Sequence, residues 1–127
     1  MGRTARTIGL LLLVITLGVV AYAAHAENPA LDFTLVNKTG YTIDALFISP
    51  TASDEWGEDV LGQDTLDNGQ RCKITFHHKE TAQFWDMRVN WSDGSEPDVW
   101  HKVDLTKYHT ITIFYDKEKD KTWAEGE

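Results

Sequence analysis

The sequence predicts an all-β protein: an antiparallel β-sandwich, immunoglobulin-like or C2-like, of six to seven strands after an N-terminal signal helix. Three observations predict this fold. Apolar side chains recur at every second position in several short stretches, which is the period of a half-buried strand. Turn-forming pairs such as Asn68-Gly69 and Asp93-Gly94 separate these stretches. No stretch after residue 26 keeps the period of a long helix.

The first 26 residues have the pattern of a secretory signal peptide. Arg3 and Arg6 form a positive start, residues 8–21 are almost wholly apolar, and Ala24-His25-Ala26 matches an A-x-A cleavage site. We therefore expect export by the Sec route to a periplasmic or secreted location, and one folded domain at residues 27–127. An uncleaved membrane anchor is the alternative interpretation of the same segment.

The charge of the expected mature chain excludes some partners. Cleavage would remove two arginines and no acid, leaving 10 basic and 20 acidic side chains and a net charge of −10. Such a negative field repels nucleic acid and anionic lipid, so we expect no nucleic-acid partner and no membrane contact after cleavage. Cys72 is the only cysteine, so no internal disulfide forms. It is expected to be buried as a small apolar residue, with an intermolecular disulfide as the alternative.

The first half of the domain predicts two strands joined by a tight turn. Residues 31–37 alternate apolar and polar side chains, and the turn that follows contains Gly40, which is free to take a positive φ. Residues 42–49 form the second strand. Leu46 and Ile48 make its second half apolar on both faces, which favours a central position in a sheet.

The second half predicts four further strands and a short closing strand after an irregular acidic loop at residues 51–69. The predicted strands are residues 71–77, 84–91, 99–104 and 110–116, followed by Thr122-Trp123. Strict alternation places Val99, His101 and Val103 on one inward face, so His101 is expected to be a hydrogen-bonded core histidine. Asp86 is expected on an outer face, where Arg88 can pair with it.

Two acidic loops form the main candidate site. Calcium takes about six to eight oxygen ligands, and loops at one end of a sandwich can converge on one ion. The sequence therefore predicts a possible Ca²⁺ site, and it implies no other cofactor. The alternative is two solvated loops that keep the protein soluble. The candidate ligands are Asp54, Glu55, Glu58 and Asp59 in the first loop and Asp93 and Asp98 in the second.

The sequence contains no assembled catalytic motif: it has no G-x-S-x-G elbow, no glycine-rich phosphate loop and no H-E-x-x-H pair. Trp56 and Trp100 are candidate binding-surface residues, because exposed aromatic rings can stack on sugars or peptides; core positions are the alternative. We therefore predict a non-catalytic exported protein that binds an unknown protein or envelope component. A hydrolase of cell wall or secreted polymer, with two facing carboxylates in a cleft, is a further alternative.

Several short motifs carry a resemblance that covers most of the expected mature chain. They are Phe33-x-Leu35-x-Asn37-x-Thr39-Gly40, Leu46-Phe47-Ile48-Ser49-Pro50, Trp56-Gly57-x-Asp59-x-Leu61-Gly62, Leu66-x-x-Gly69, Trp85-Asp86 and Asp93-Gly94. The chain resembles a family of small exported bacterial β-domains of no established biochemical function, whose members are sometimes labelled argininosuccinate lyase. A true lyase of that name is a long helical tetramer, so the resemblance implies a fold and a compartment and no chemistry. It also implies a family disulfide whose two cysteines correspond here to Phe84 and Thr106.

Overall fold

A computed structural model describes residues 29–127 and contains seven strands and one short 3-10 helix, Pro29–Leu31. The predicted signal segment, residues 1–26, lies outside the described residues. The strands are β1 (Phe33–Lys38), β2 (Ile43–Pro50), β3 (Arg71–Ile74), β4 (Phe84–Trp91), β5 (Asp98–Asp104), β6 (Thr110–Asp116) and β7 (Lys121–Gly126). The all-β class and the upper predicted strand number are confirmed. Between residues 29 and 127, no helix has the length and apolar character needed to cross a membrane.

The strands form two sheets, a four-stranded sheet in the order β3-β1-β6-β7 and a three-stranded sheet in the order β2-β4-β5. β1 and β6 run parallel, from Thr34 opposite Thr110 to Lys38 opposite Phe114. The prediction of wholly antiparallel pairing is therefore wrong for this pair, whereas the other pairs are antiparallel. Because parallel neighbours end on the same side, the turns after β1 and β6 lie at one end of the molecule.

Inward-facing residues of both sheets share one apolar core. Trp85 of β4 packs edge-on against Phe76, with ring centroids 4.9 Å apart, and its indole Nε1 donates a hydrogen bond to Ala82 O at 2.8 Å. The alternating pattern predicted for residues 84–91 is confirmed, because every second side chain of β4 is buried. Fully buried core residues of the other strands include Leu35, Ile43, Leu46, Cys72, Ile74 and Ile113.

β2 is an edge strand, so the predicted central position is wrong. The acidic loop runs back along its free edge and supplies the pairing that a neighbouring strand would give. Val60 N donates to Leu46 O at 2.7 Å, the Asp59 carboxylate accepts from Leu46 N at 2.9 Å, and Leu66 bridges to Ile43. Val60, Leu61 and Leu66 of this loop are buried, which explains why β2 is apolar on both faces.

The predicted inward positions of Val99 and His101 are wrong. Val99 is 40% exposed, and the His101 side chain is 69% exposed. The reason is a bulge, an extra residue in β5: Trp85 pairs with Val103, but Met87 pairs with Trp100. Trp100 and Val103 therefore both pack against the core. They are three positions apart, so a regular strand would place them on opposite faces.

Asp86 holds this bulge in place. Its Oδ1 accepts hydrogen bonds from Lys102 N at 3.0 Å and from Thr51 Oγ1 at 2.8 Å, and its Oδ2 lies 3.1 Å from His101 Nδ1. Lys102 has φ of +56°, which a side-chain-bearing residue rarely adopts without such support. Partial burial raises the pKa of Asp86, but these hydrogen bonds outweigh it and lower the pKa below the ordinary value. The predicted pair of Asp86 with Arg88 does not form in the described structure.

Candidate functional site

Three turns meet at one end of the two sheets and enclose an open cleft of about 410 Å³. The turns follow β1, β4 and β6. The parallel pairing of β1 with β6 brings two of them together, and Ser92 N, which donates to Thr42 O at 3.0 Å, fixes the third beside the start of β2. We call this the loop-end cleft. Its lining includes three aromatic residues, Tyr41, Trp91 and Tyr115, and four carboxylates, Asp93, Glu96, Asp98 and Asp120.

The aromatic residues of the cleft have fixed neighbours. Tyr41 and Tyr115 contact each other edge to face, with ring centroids 5.4 Å apart and planes at 81°. Tyr41 is 41% exposed, so part of its ring is accessible to a ligand. The buried Trp91 is oriented by its Nε1, which donates to Asp98 Oδ2 at 2.8 Å. The rings are therefore held in place while one of them stays open to solvent.

A fully buried asparagine positions the turn that carries Tyr41. Asn37 Nδ2 donates to Tyr41 O at 2.7 Å and to Leu66 O at 2.9 Å. Asn37 Oδ1 accepts from Thr39 N at 3.0 Å and from Thr39 Oγ1 at 2.7 Å. Every polar atom of the amide therefore has a partner, and the β1–β2 turn is tied to the distant loop at Leu66.

The carboxylates of the cleft bond to neutral donors. Asp93 Oδ1 accepts from Ser95 Oγ at 2.5 Å and Ser95 N at 2.9 Å, and these bonds lower the pKa of Asp93. Asp120 Oδ1 accepts from the Tyr115 hydroxyl at 2.9 Å, and this bond raises the pKa of Tyr115. Glu96 is exposed and makes no hydrogen bond or ion pair with residues 29–127. The lowered pKa of Asp93 favours the charged form of this carboxylate at neutral pH.

No lysine, arginine or histidine within the described range lines the loop-end cleft. Four carboxylates in a lining that has no basic side chain give a negative potential, which concave walls focus. The π faces of tyrosine and tryptophan also attract positive charge. The arrangement is thus suited to an organic cation, which gains from both the aromatic faces and the carboxylates.

The structure divides the six predicted calcium ligands between separate places. Asp93 and Asp98 line the loop-end cleft. Asp54 and Glu55 follow Pro50, at the opposite end of β2, so the length of that strand puts them roughly 20 Å from the cleft. The part of the chain from residue 29 onward contains no group of three or more His, Cys, Asp or Glu side chains that could hold a metal ion.

The other predicted site residues have structural contacts. Asp59 braces the free edge of β2, because its Oδ1 accepts from Leu61 N at 3.0 Å as well as from Leu46 N. Glu58 is exposed on the same loop, and Trp56 is half-buried there. Trp100, the second predicted surface residue, is half-buried and packs against the core from β5.

The three aromatic residues of the loop-end cleft, Tyr41, Trp91 and Tyr115, and its carboxylate Asp120 were not predicted as site residues from the sequence. Tyr41 and Asp120 lie in turns, where the sequence pattern describes a solvent-exposed polar segment. Trp91 and Tyr115 lie at the ends of strands, where alternation places them on an apolar face. Only the parallel pairing of β1 with β6 brings these turns together, and periodicity carries no information about which strands pair. Trp91 and Tyr115, which each precede an acidic turn, are the one signal that the sequence offers.

Comparison of the chain with protein-family models, with curated proteins and with solved structures finds no match. The candidate site is therefore argued from its geometry alone.

Proposed function

We propose that this protein is an exported, non-catalytic β-domain that binds a protein or envelope component through the loop-end cleft. The cleft takes up a positively charged group of that partner, such as a lysine side chain or a quaternary ammonium. One observation carries the proposal: three aromatic residues and four carboxylates meet in one cavity that no described basic side chain lines.

The size and charge of the cleft support this ligand class. A volume of about 410 Å³ is within the usual range for a small-molecule or side-chain site. The chain has a net charge of −8, so its field attracts cations toward the site over a distance of about one Debye length. The resolved pKa shift among the cleft carboxylates, that of Asp93, is downward, whereas a general acid needs a raised pKa. Asp93 therefore does not fit the role of general acid in the hydrolase alternative.

The fold proposed for this module is a β-sandwich of the immunoglobulin-like or C2-like type. Four strands in one sheet and three in the other match the strand count of a constant-type immunoglobulin domain. A shared core between the sheets supports the same assignment, and a binding site formed by turns at one end is common in such sandwiches.

Titration of ¹⁵N-labelled protein with the N-acetyl amides of trimethyl-lysine, lysine and norleucine tests the proposal. Norleucine has a similar chain without the charge. The indole N–H of Trp91 and the backbone amides of residues 93–96 and 98 are expected to shift with the two cations and not with norleucine. Added salt should weaken binding, because the site is solvent-accessible and electrostatic. Equal shifts with norleucine, or shifts confined to other parts of the chain, would contradict the proposal.

Two matched pairs of variants locate the binding. Tyr41→Ala is expected to weaken binding by about tenfold, since it removes a cation–π face. Trp123→Ala removes a ring of similar exposure elsewhere and should leave binding unchanged. Asp93→Asn should also weaken binding, whereas Asp54→Asn, an equal charge change at the opposite end of β2, should not.

Calcium is the alternative ligand that the acidic loops suggest. Calorimetry with calcium chloride on the wild type and on Asp93→Asn separates the two ligands. Asp93→Asn is more informative than Asp59→Asn, because Asp59 braces β2 and its loss would change stability as well. Absence of heat and of a rise in melting temperature with calcium would end the alternative and leave the organic cation as the ligand.

A further inference from the structure

The side of the molecule away from the covered edge of β2 has two uncovered sheet edges. β5 is the last strand of the three-stranded sheet, and β7 is the last strand of the four-stranded sheet. A groove of about 560 Å³ separates them. We call this the β5–β7 groove. Residues of both strands line it, including Trp100, Val103, Ala124 and Gly126.

The floor of the β5–β7 groove is apolar. Met87 and Ile111 are core residues that reach it from the two sheets, and Tyr108 closes one part of it. The Tyr108 ring packs tightly on Gly126, because a Cβ at that glycine would lie 2.4 Å from Tyr108 Cδ1. The groove is therefore a preformed space between the sheets.

The free edge of β7 offers regularly spaced backbone groups. Thr110 and Glu127 exchange both backbone hydrogen bonds, at 3.1 and 2.9 Å. In an antiparallel pair these bonded positions alternate, so Trp123 and Glu125 also point their backbone groups toward β6. Ala124 and Gly126 then point their N–H and C=O groups away from β6, and neither has a backbone partner among residues 29–127.

We propose that the β5–β7 groove accepts an extended segment of a partner polypeptide as an added strand on β7. Such a strand would bond to the free backbone groups of Ala124 and Gly126 and place alternate apolar side chains on the groove floor. β7 is the receiving edge because the bulge at Lys102 interrupts the edge of β5.

The charge of the chain selects the occupant. Two copies of this protein, each with a net charge of −8, repel one another, so a second copy is disfavoured. A neutral segment with an alternating apolar pattern meets no such repulsion. It also suits the groove itself, because the charged side chains of the lining balance, Lys102 and Lys107 against Asp104 and Glu125. Its apolar residues would contact Trp100 and Val103, which already pack against the core. This inference is independent of the cation site, because the two cavities share no lining residue.

Amide hydrogen exchange on the ¹⁵N-labelled protein tests the inference. The probe is a capped synthetic peptide of alternating valine and threonine with lysine at each end. In the free protein, the amides of Ala124 and Gly126 are expected to exchange rapidly, whereas those of Trp123 and Glu125 are protected by β6. Saturation with the peptide should slow exchange at Ala124 and Gly126 at least tenfold and leave the other two unchanged.

Three results would overturn the inference: protection of Ala124 and Gly126 in the dilute free protein, no change with peptide, or protection that grows with protein concentration alone. The last would identify a second copy as the occupant. Ala124→Pro removes an outward N–H without breaking the β6 ladder and should abolish peptide binding. Val103→Ala alters the floor without touching β7 and should weaken binding several-fold, which provides a test if the proline variant does not fold.

Discussion

Replacement of the buried Asn37 by alanine tests how the loop-end cleft is held together. Its amide makes four hydrogen bonds, two as donor and two as acceptor, and the residue is 0% exposed. Three of them are lost outright in Asn37→Ala. The Thr39 hydroxyl keeps a partner, because it also lies 3.2 Å from Tyr41 O.

The expected cost follows from this count. Each lost hydrogen bond contributes about 1 kcal/mol net, so Asn37→Ala should lower the free energy of unfolding by about 3 kcal/mol. A domain of this size has a total stability of about 5 to 15 kcal/mol. The melting temperature should therefore fall by roughly 15 °C.

The assay is urea unfolding followed by circular dichroism, with Asn90→Ala as the matched control. Asn90 is half-buried on β4 and accepts one hydrogen bond, from Arg88 Nε at 3.1 Å. Its replacement should cost about 1 kcal/mol or less. The dependence of the unfolding free energy on urea concentration should be the same in both variants. If, at this unchanged slope, the two variants lost equal free energy of unfolding, the buried amide would not stabilise the β1–β2 turn as the structure indicates.

Three further predictions concern stability and reactivity. Because hydrogen bonds lower the pKa of Asp86 below the ordinary 3.8, its contribution is present above that pH and is lost as the pH falls through the folded-state pKa. Asp86→Asn should therefore lower the free energy of unfolding at neutral pH, as measured by urea titration. The variant should also lose less of this free energy than the wild type when the pH falls below about 4, and an equal loss in both proteins would contradict the prediction. Burial raises the pKa of the Cys72 thiol to about 12, so Ellman's reagent should react with it only after unfolding, and rapid reaction of the native protein would refute its burial. Gly126→Ala should cost about 1 to 3 kcal/mol in thermal unfolding, because the new Cβ would lie 2.4 Å from Tyr108; an unchanged melting temperature would show that the ring moves freely.

The strands were predictable where a single physical signal decided them. Residues 85–91 alternate without exception and are followed by the turn residues Ser92-Asp93-Gly94, and the structure has a strand at Phe84–Trp91, the predicted bounds. β5 was harder, because its inward and outward faces exchange at Lys102. That exchange depends on the carboxylate of Asp86 across the sheet, which local alternation does not report. The edge position of β2 could not be predicted for a similar reason. A loop residue, Val60, bonds to the edge of β2 where a neighbouring strand would otherwise lie.

The candidate site was predictable in part. Asp93 and Asp98 were expected in a functional acidic loop, and both line the loop-end cleft. Their neighbours Tyr41 and Tyr115 come from turns far apart in the chain, which meet only because β1 and β6 pair in parallel. Residue spacing within one segment contains no information on such pairing, so the proposed cation site could not be predicted from the sequence.

The central claim, that a cation binds against the aromatic walls of the loop-end cleft, is tested most directly by intermolecular nuclear Overhauser effects. The N-methyl protons of the trimethyl-lysine amide are the probe, and a cation–π contact places them within about 6 Å of a ring centroid. The account predicts effects to the ring protons of Tyr41, Tyr115 and Trp91. Effects only to Phe114 and Trp123 on the outer sheet face, or none at saturation, would contradict it.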